Sequence, residues 1–371
     1  MRDVYRVQPH ASPPSRYGAW LFSGSYLIGR LLIVIASFFF IDLVFAATPL
    51  TMGVAMVPHS LPVFVAQHEG YFAEEIPQLR LLDCFPGRKC LDMLFAGSVQ
   101  FATVADTPIV SASFIRSDFV VLTTIASSTN DIHVVGAKSA GIAKLKDLVG
   151  KKIGLIRGSS AEYFIDTVLL FDGVDPARVQ KIDLSGDDIA EALRQHKIDA
   201  FVLFDPHLSK ALNTLGDSVS VLKTPPIYLS TFNLVAARAL VGTRDTDMVK
   251  IIRALDRAQL FIKQYPEAAQ RILRQRLQIA PLVGKSLDMQ MDYALSLDQT
   301  LIKTLEGEAR WLNQQTSQQT SQQISQQTSH QISQQTSQQK IIAGTKPDNY
   351  LDFVYLSPLS QVRPKAVTIV K

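Results

Sequence analysis

The chain has 371 residues, of which 47% are hydrophobic and 19% are charged, and its formal net charge at pH 7 is +4. This length and hydrophobic content allow two domains of ordinary size and exclude a disordered chain. The charge is small for the length and no long lysine or arginine block occurs, so the composition argues against nucleic-acid binding.

The first 46 residues have the pattern of a secretory signal peptide. Arg16 and Arg30 precede the apolar run LLIVIASFFFIDLVFAA, and the small residues at its end are typical of a signal-peptidase site. We expect cleavage after about Ala46. An uncleaved membrane anchor is the alternative, although Asp42 inside the run is costly in a bilayer. No cysteine ends the run, which argues against a lipoprotein.

The two cysteines, Cys84 and Cys90, lie close together in the segment LLDCFPGRKCLDML. In an exported protein such a pair can form a disulfide that closes a short loop. The Pro86-Gly87 turn between the cysteines would bring them together. A metal site is the weaker interpretation, because two thiols do not complete a tetrahedral zinc site and no histidine is suitably spaced. We expect neither a metal nor a cofactor.

From residue 49 onward, short apolar segments alternate with amphipathic helical segments. The predicted strands are 50–57, 79–85, 99–105, 118–127, 131–138, 151–157, 179–185 and 198–204. The predicted helices are 61–75 with an end near Gly70, 89–97, 107–115, 142–150, 161–173, 186–197 and one that starts at Asp205-Pro206. This alternation predicts a parallel sheet with helices on both faces. From about Asp245 to Asn313 the pattern is mainly helical.

Residues 314–339 repeat a four-residue unit of the type Thr/Ile-Ser-Gln-Gln. The repeat has almost no apolar side chain to bury, so it predicts a mobile, expanded loop. An adhesive or partner-binding element is the alternative. The segment PDNYLDFVYLSPLSQVRPKAVTIV after the repeat is apolar enough to be folded.

A Gly-Ser-Ser turn lies between a predicted strand and a predicted helix in the segment GLIRGSSAEYF, residues 154–164. Ser159, followed three residues later by Glu162, fits a capping box. Free N–H groups at a helix N-terminus also attract anions. The turn is therefore a candidate site for a small polar ligand.

Four blocks of sequence carry a family resemblance. In chain order they are VPHSLPVFVAQHEGYF, CLDMLFAGSVQFATVADTP, IAKLKDLVGKKIGLIRGSSAEYF and ALRQHKIDAFVLFDPHLSKAL. They resemble periplasmic substrate-binding proteins of ABC importers for nitrate, sulfonates, taurine and thiamine-precursor pyrimidines. The resemblance covers about residues 50–212, and LSPLSQVRPKAV is similar to the family's C-terminal end.

The resemblance implies an α/β fold of the type II periplasmic binding protein class. Two lobes would be joined by two hinge crossings, with the ligand in the cleft between them. One lobe would comprise residues 49–130 and 234–371, which include the repeat, and the other lobe would comprise residues 131–233.

The implied function is that of the solute-binding component of an ABC importer. A monomer in the periplasm would capture a small polar or anionic solute, such as nitrate, a sulfonate or taurine, and deliver it to membrane permease subunits. A thiamine-precursor pyrimidine as ligand and a membrane-tethered sensory module are the alternatives. Fungal pyrimidine-synthesis enzymes share the architecture, but the sequence lacks their cysteine-rich iron motif, a Walker A motif and HExxH, so we do not expect an enzyme.

Ligands of open α/β sheets bind beyond the carboxyl ends of the strands. These ends fall at residues 58–60, 105–107, 158–160 and 204–206, and Asn130 precedes the first crossing. The candidate ligand-binding residues are His59, Ser60, Asp106, Thr107, Asn130, Gly158, Ser159, Ser160 and Asp205. Hydroxyls and helix N-terminal amides among them would hold a small anionic or polar head group from both lobes.

Each candidate also has an ordinary structural role. The hydroxyls can cap helices, and His59 and His207 can be turn histidines with satisfied hydrogen bonds. Asp205 is expected to cap its helix rather than to pair with a ligand amine. The chain has Phe204-Asp205-Pro206 where many relatives have Trp-Glu-Pro, so the chemistry of the ligand stays open.

Overall fold

The computed structural model describes residues 50–85, 87–279, 290–326 and 344–370. The predicted signal peptide, Pro86 and the later part of the tetrapeptide repeat lie outside the described residues.

Within the described ranges, ten strands form two five-stranded sheets. In chain order the strands are β1 (Leu50–Ala55), β2 (Leu79–Cys84), β3 (Phe101–Ala105), β4 (Phe119–Ser128), β5 (His133–Ala137), β6 (Lys152–Leu155), β7 (Gln180–Asp183), β8 (Ala200–Leu203), β9 (Val219–Val221) and β10 (Ser230–Ala237).

The first sheet has the order β2-β1-β3-β10-β4 and the second has the order β7-β6-β8-β5-β9. The chain therefore crosses between the sheets twice, once between β4 and β5 and once between β9 and β10. We call the first sheet with its helices lobe 1 and the second sheet with its helices lobe 2. The predicted two-lobe α/β fold with two crossings is confirmed. β10 begins at Ser230, ahead of the predicted lobe boundary at residue 234.

Each sheet is mixed, whereas the sequence predicts purely parallel pairing. Strand β1 pairs in parallel with β2 and β3, but β10 is antiparallel to β3 and β4. Likewise β6 is parallel to β7 and β8, but β5 is antiparallel to β8 and β9. The antiparallel strands are those that follow each crossing. They enter their sheet without the helical crossover that makes neighbouring strands parallel.

Strand β10 is not among the predicted strands, although it lies inside the first sheet. Its sequence STFNLVAA mixes polar and apolar residues without a period of two, yet all but the last residue are buried. The polar groups satisfy each other: Thr124 Oγ1 donates to Asn233 Oδ1 over 2.8 Å, and Asn233 Nδ2 donates to Thr231 Oγ1 over 3.1 Å. Hydrogen bonding between strands thus replaces the apolar pattern that identifies a strand from sequence.

Helices cover the outer faces of the sheets. They are α1 (Leu61–His68), α2 (Tyr71–Glu75), α3 (Gly87–Phe95), α4 (Asp106–Ser113), α5 (Ser160–Phe171), α6 (Ile189–Arg194), α7 (His207–Leu215), α8 (Asp245–Gln264), α9 (Pro266–Leu277), α10 (Gln299–Gln326) and α11 (Ser357–Val362). The predicted helix 61–75 is interrupted at Gly70, whose φ of 77° breaks the helix between α1 and α2. The predicted helix 142–150 is only a 3-10 turn over Leu145–Leu148.

Each lobe has its own apolar core. The core of lobe 1 includes Phe101 and Phe119 on its strands, together with Tyr350 and Leu359 from the segment after the repeat. That C-terminal segment is folded, as its apolar content predicts. Lobe 2 has two apolar clusters, one with Ile165 of α5 and the other with Leu208 of α7.

The beginning of the tetrapeptide repeat is helical, which corrects the prediction of an expanded loop for residues 314–326. Helix α10 continues through them without a break. Thr316 Oγ1 and Ser317 Oγ donate to the carbonyls of Leu312 and Asn313, four residues earlier. Glutamine is a good helix former, and extending an existing helix avoids the cost of nucleation. The predicted loop over residues 327–339 lies outside the described residues.

Helix α10 also joins the two lobes. It packs on α4 of lobe 1, and two of its side chains, Trp311 and Gln315, contact α5 of lobe 2. Trp311 Nε1 and Gln315 Nε2 each donate to Asp166 Oδ2 over 2.9 Å, and Lys181 Nζ donates to the same carboxylate over 2.6 Å. The Asp166 side chain is only 1% exposed. Helix α10 is therefore held to both lobes.

Candidate ligand-binding site

A cavity of about 110 Å³ lies between the lobes. Four of the predicted site residues line it, namely His59, Gly158, Ser159 and Ser160. Ser60, Asp106, Thr107, Asn130 and Asp205 lie outside its lining. The turn that precedes α5 therefore faces the cavity, as expected for a ligand held beyond the carboxyl end of β6.

The Gly158 turn positions the N-terminus of α5. Gly158 has a φ of 67°, in the left-handed region that favours glycine. Ser159 is the N-cap of α5, but its Oγ donates to the carbonyl of Ile156 over 2.6 Å instead of accepting from the helix. Glu162 accepts from the Gly158 amide over 2.8 Å and from Arg157 Nη1 over 3.2 Å. The predicted capping box is therefore wrong, because Glu162 reaches one residue beyond the N-cap.

Helix α5 begins at the wall of the cavity. The N–H groups at the start of a helix have no intrahelical acceptor and carry the positive end of the helix dipole. Of the first residues, Glu162 N is bonded to the Ser159 carbonyl. Ser160, the first residue of α5, lines the cavity, so its amide is the helix N–H group that an anion there would meet.

Arg88 brings a positive charge to the same turn from lobe 1. It is the second residue of α3 and lines the cavity, and its Nη1 lies 3.6 Å from where a β-carbon on Gly158 would stand. Among the described residues no carboxylate pairs with Arg88. Arg157 also lines the cavity, but its charge is paired with Glu162. Arg88 is thus the cation left available to a ligand by the described residues.

The remaining wall of the cavity is largely apolar. Val57, Ile132, Ile156, Phe204 and Phe232 contribute to it. An organic anion with a short apolar tail matches this combination of a cation, helix amides and apolar side chains.

His59 is fixed by an acidic partner. Its Nε2 lies 3.0 Å from Asp131 Oδ2, and both side chains are largely buried. Ser230 Oγ donates to the other oxygen of Asp131 over 2.9 Å. The His59 ring also packs against Phe232, with 5.2 Å between ring centroids. The contacts with Asp131 and Phe232 together fix the orientation of the His59 ring at the cavity.

Asp106 is the centre of a buried hydrogen-bond network. Its Oδ1 accepts from Thr107 N, Ser160 Oγ and Tyr228 OH over 2.9, 3.0 and 2.7 Å. Its Oδ2 accepts from the amide and hydroxyl of Thr231 over 2.7 and 3.3 Å. Burial raises the pKa of Asp106, and the hydrogen bond from Thr231 is the largest opposing effect. These bonds join α4 of lobe 1 to α5 of lobe 2.

The hydroxyl protons of the predicted anion-binding residues are engaged within the protein. Thr107 Oγ1 donates to Ser160 Oγ over 3.2 Å, and Ser160 Oγ donates to Asp106. Ser159 Oγ donates to the Ile156 carbonyl. Each hydroxyl has one proton, so in this arrangement an anion meets backbone amides and Arg88 rather than hydroxyl donors.

Glu308 of α10 is the second carboxyl of the buried network. Tyr228 OH lies 2.7 Å from Asp106 Oδ1 and 3.0 Å from Glu308 Oε1. Burial, and then the charge of Asp106, raise the pKa of Glu308 well above its ordinary value. Asp106 accepts several hydrogen bonds while Glu308 accepts few from the described residues, so Glu308 binds a proton more readily than Asp106 does.

The other predicted site residues have structural partners. Asp205 Oδ1 accepts from the Ser209 amide over 2.9 Å, which agrees with the expected capping of α7. Ser60 Oγ lies 3.5 Å from Thr103 Oγ1. The backbone N–H of Asn130 donates to Ser128 Oγ over 3.0 Å.

Cys84 and Cys90 form a disulfide, with 5.4 Å between their α-carbons. His207 lies away from the cavity, with its Nδ1 3.5 Å from Asp187 Oδ1 and its ring 4.6 Å from that of Phe85. Its burial lowers the pKa of the imidazole.

Sequence reasoning missed Arg88, Asp131, Tyr228 and Glu308. Arg88 stands inside the quoted segment between the two cysteines, and a cation in a loop with a possible disulfide was a usable signal. Glu308 follows Leu301 and Leu305 at the helical spacing of an apolar face, which marks a buried carboxyl. Asp131 and Tyr228 belong to the two crossings and carry no periodic signal.

In the part of the chain that the structure describes, no group of three or more His, Cys, Asp or Glu side chains is arranged to hold a metal ion. None of the described helices combines the length and the apolar character needed to cross a bilayer.

The relatives of this chain include a binding protein and an enzyme. A curated relative from Escherichia coli strain K12, named as an aliphatic sulfonates-binding protein, is 24% identical over 240 residues, which cover 63% of this chain and 71% of the relative. A 4-amino-5-hydroxymethyl-2-methylpyrimidine phosphate synthase from Legionella pneumophila is 24% identical over 225 residues, which cover 59% of this chain and 70% of the relative.

The fold is similar to that of a solved structure, the periplasmic aliphatic sulphonate binding protein from Escherichia coli. The TM-score is 0.61 at 18% identity, and the match covers 72% of this chain and 92% of that protein. The family described as NMT1/THI5 like matches residues 57–269, which is more than half of the chain. The chain therefore belongs to the NMT1/THI5-like family.

Proposed function

We propose that the protein is the solute-binding component of an ABC importer and that it captures a small organic anion, with a sulfonate as the favoured head group. The observation that carries the proposal is Arg88, unpaired among the described residues, beside the N-terminal turn of α5 in a cavity between two lobes. A guanidinium and helix amides are complementary to the oxygens of a sulfonate. The binding-protein names of similar proteins support the same class.

The two crossings suit a hinge motion of the kind that such a function needs. Lobes joined by short crossings can close around a ligand by hinge rotation, and the closed form is what a permease would recognise. We propose that residues 49–130 and 234–371 move as one rigid lobe and that residues 131–233 move as the other. On this proposal the protein acts in the periplasm, as a monomer, with permease subunits as partners.

Binding rather than catalysis is the role we propose for the cavity, and a thiamine-precursor pyrimidine is the second ligand class to test. The similarity to the Legionella synthase motivates that second class. The apolar wall that contains Phe204 and Phe232 can accommodate a ring.

A titration calorimetry panel tests the proposal. The panel contains nitrate, bicarbonate, taurine, ethanesulfonate, butane-1-sulfonate and an aminopyrimidine, each with a protein that begins at Ala47. We expect a sulfonate to bind, and Arg88→Gln to weaken binding by about 1.5–3 kcal/mol, because a hydrogen bond to a charged group is lost.

Lys89→Gln is the matched control. Lys89 is the next residue of α3, is exposed and does not line the cavity, so the same change of charge there should leave the affinity within about twofold. Binding of the aminopyrimidine alone would replace the sulfonate by the second ligand class. Equal losses for both variants would overturn the role of Arg88.

A further inference from the structure

The disulfide and the proposed anion-binding arginine occupy one short loop. Cys84 is the last residue of β2 and Cys90 lies in α3, and both are buried. Arg88 stands between them, in the first turn of α3. The disulfide lies against β1: a β-carbon on Gly53 would be 3.4 Å from Cys84 Sγ and 3.5 Å from Cys90 Cβ. The loop is thus anchored on the sheet of lobe 1.

The same loop contacts lobe 2 through two side chains. The guanidinium of Arg88 reaches the Gly158 turn, and the ring of Phe85 packs on His207. Since no described carboxylate holds Arg88, its position depends on the backbone that carries it. That backbone is the first turn of a helix, where amides lack intrahelical acceptors and fraying begins.

We infer that the Cys84–Cys90 disulfide is a positioning element for ligand binding, which holds Arg88 against the Gly158 turn. The effect of the disulfide on ligand affinity rests on the proposed function. With the disulfide, the start of α3 is fixed to the end of β2, and the charge of Arg88 is present at the cavity before the ligand arrives. Without the disulfide, the loop samples more positions, and binding must order it.

A double-mutant cycle with butane-1-sulfonate tests the inference. The four proteins are the wild type, Cys84→Ser/Cys90→Ser, Arg88→Gln and the combination of all three changes. We expect loss of the disulfide to raise the Kd about tenfold when Arg88 is present and less than twofold when glutamine replaces it. A merely stabilising disulfide gives the same change of Kd in both backgrounds, and that result would overturn the inference.

A second variant keeps the disulfide and loosens the loop. Two glycines inserted directly after Phe85 lengthen the closed ring but leave both cysteines in place. We expect this insertion to raise the Kd about as much as removal of the cysteines does. The insertion also tests the positioning role if the double serine variant does not fold. An unchanged Kd for the insertion contradicts the inference.

Hydrogen exchange in the ligand-free protein separates this inference from the proposed function. We expect the loop insertion and Arg88→Gln each to change amide exchange in residues 158–161, because both remove the guanidinium from the turn. Lys89→Gln should not change that exchange. If butane-1-sulfonate does not bind but amide exchange in residues 158–161 changes, the proposed ligand is wrong and the positioning role stands. Unchanged exchange in residues 158–161 overturns the positioning role whether or not the sulfonate binds.

Discussion

Trp311 on α10 donates a hydrogen bond to Asp166 on α5, over 2.9 Å from Nε1 to Oδ2. The acceptor is almost fully buried and also receives Lys181 Nζ and Gln315 Nε2. Because α10 packs on lobe 1 and α5 belongs to lobe 2, this contact holds the two lobes together independently of any ligand.

Trp311→Phe is expected to lower the free energy of unfolding by about 1.5–3 kcal/mol. The change removes a hydrogen bond to a buried carboxylate while keeping an aromatic ring beside Tyr163. Urea denaturation followed by circular dichroism measures the loss. Gln314→Ala, at an exposed position of the same helix, is the control and should stay within about 0.5 kcal/mol of the wild type. Similar effects of the two changes would show that the Asp166 contact contributes nothing.

Glu308→Gln is expected to alter the pH dependence of stability. The pKa of Glu308 is raised in the folded state, mainly by burial, so the folded protein binds a proton that the unfolded chain releases above its ordinary value of 4.5. Stability from this carboxyl is therefore complete below that value and is lost as the pH rises toward the folded pKa. Glutamine does not titrate, so the free energy of unfolding of the variant, relative to that of the wild type, should increase with pH by up to about 1.4 kcal/mol per pH unit.

Urea unfolding of both proteins at several pH values between 5 and 8 gives this difference. The buried histidines His133 and His207, whose pKa values are lowered by burial, are present in both proteins and cancel in the difference. Glu267→Gln, at an exposed position of α9, serves as the control. A difference that does not change with pH would contradict a protonated Glu308.

Two glycines are expected to respond to alanine in opposite directions. Gly158→Ala should cost about 1–2 kcal/mol, because φ at this position is 67° and left-handed backbone is unfavourable for alanine. Gly307→Ala should raise stability by about 0.5–1 kcal/mol, because it lies inside α10 and the nearest atom to its β-carbon, Tyr163 OH, is at an ordinary 3.5 Å. Thermal unfolding measures both, and a gain for Gly158→Ala would show that the turn does not require its backbone conformation.

The alternation of strands and helices was enough to predict an α/β architecture, because buried strands and amphipathic helices differ in their hydrophobic period. The division into two lobes followed only from the family resemblance. The alternation did not predict the direction of β5 and β10, since strand direction depends on which sheet the chain joins after a crossing. The prediction of an expanded loop for residues 314–326 was wrong because it considered those residues without the helix that precedes them. Composition predicts no core for residues 314–326, but a helix already formed upstream continues through them.

The candidate site was predictable where it depends on local sequence. The Gly158 turn follows a strand and precedes a helix, so its place at the cavity followed from chain order. Asp131 and Tyr228 take part through pairings between distant segments, His59 with Asp131 and Asp106 with Tyr228, and no local pattern marks such pairings. The hydroxyl protons of Ser159 and Ser160 were also beyond sequence reasoning, because their acceptors depend on the packed structure.

The contact between Trp311 and Asp166 has a spectroscopic consequence. The sequence contains two tryptophans, Trp20 and Trp311, so a protein that begins at Ala47 has Trp311 alone. Its indole is bonded to a carboxylate of the other lobe and stacked edge-on with Tyr163. Tryptophan fluorescence of that protein therefore comes from a single residue at the junction of the lobes, and a shift in its emission maximum would report a change in the contact between the lobes without any attached dye.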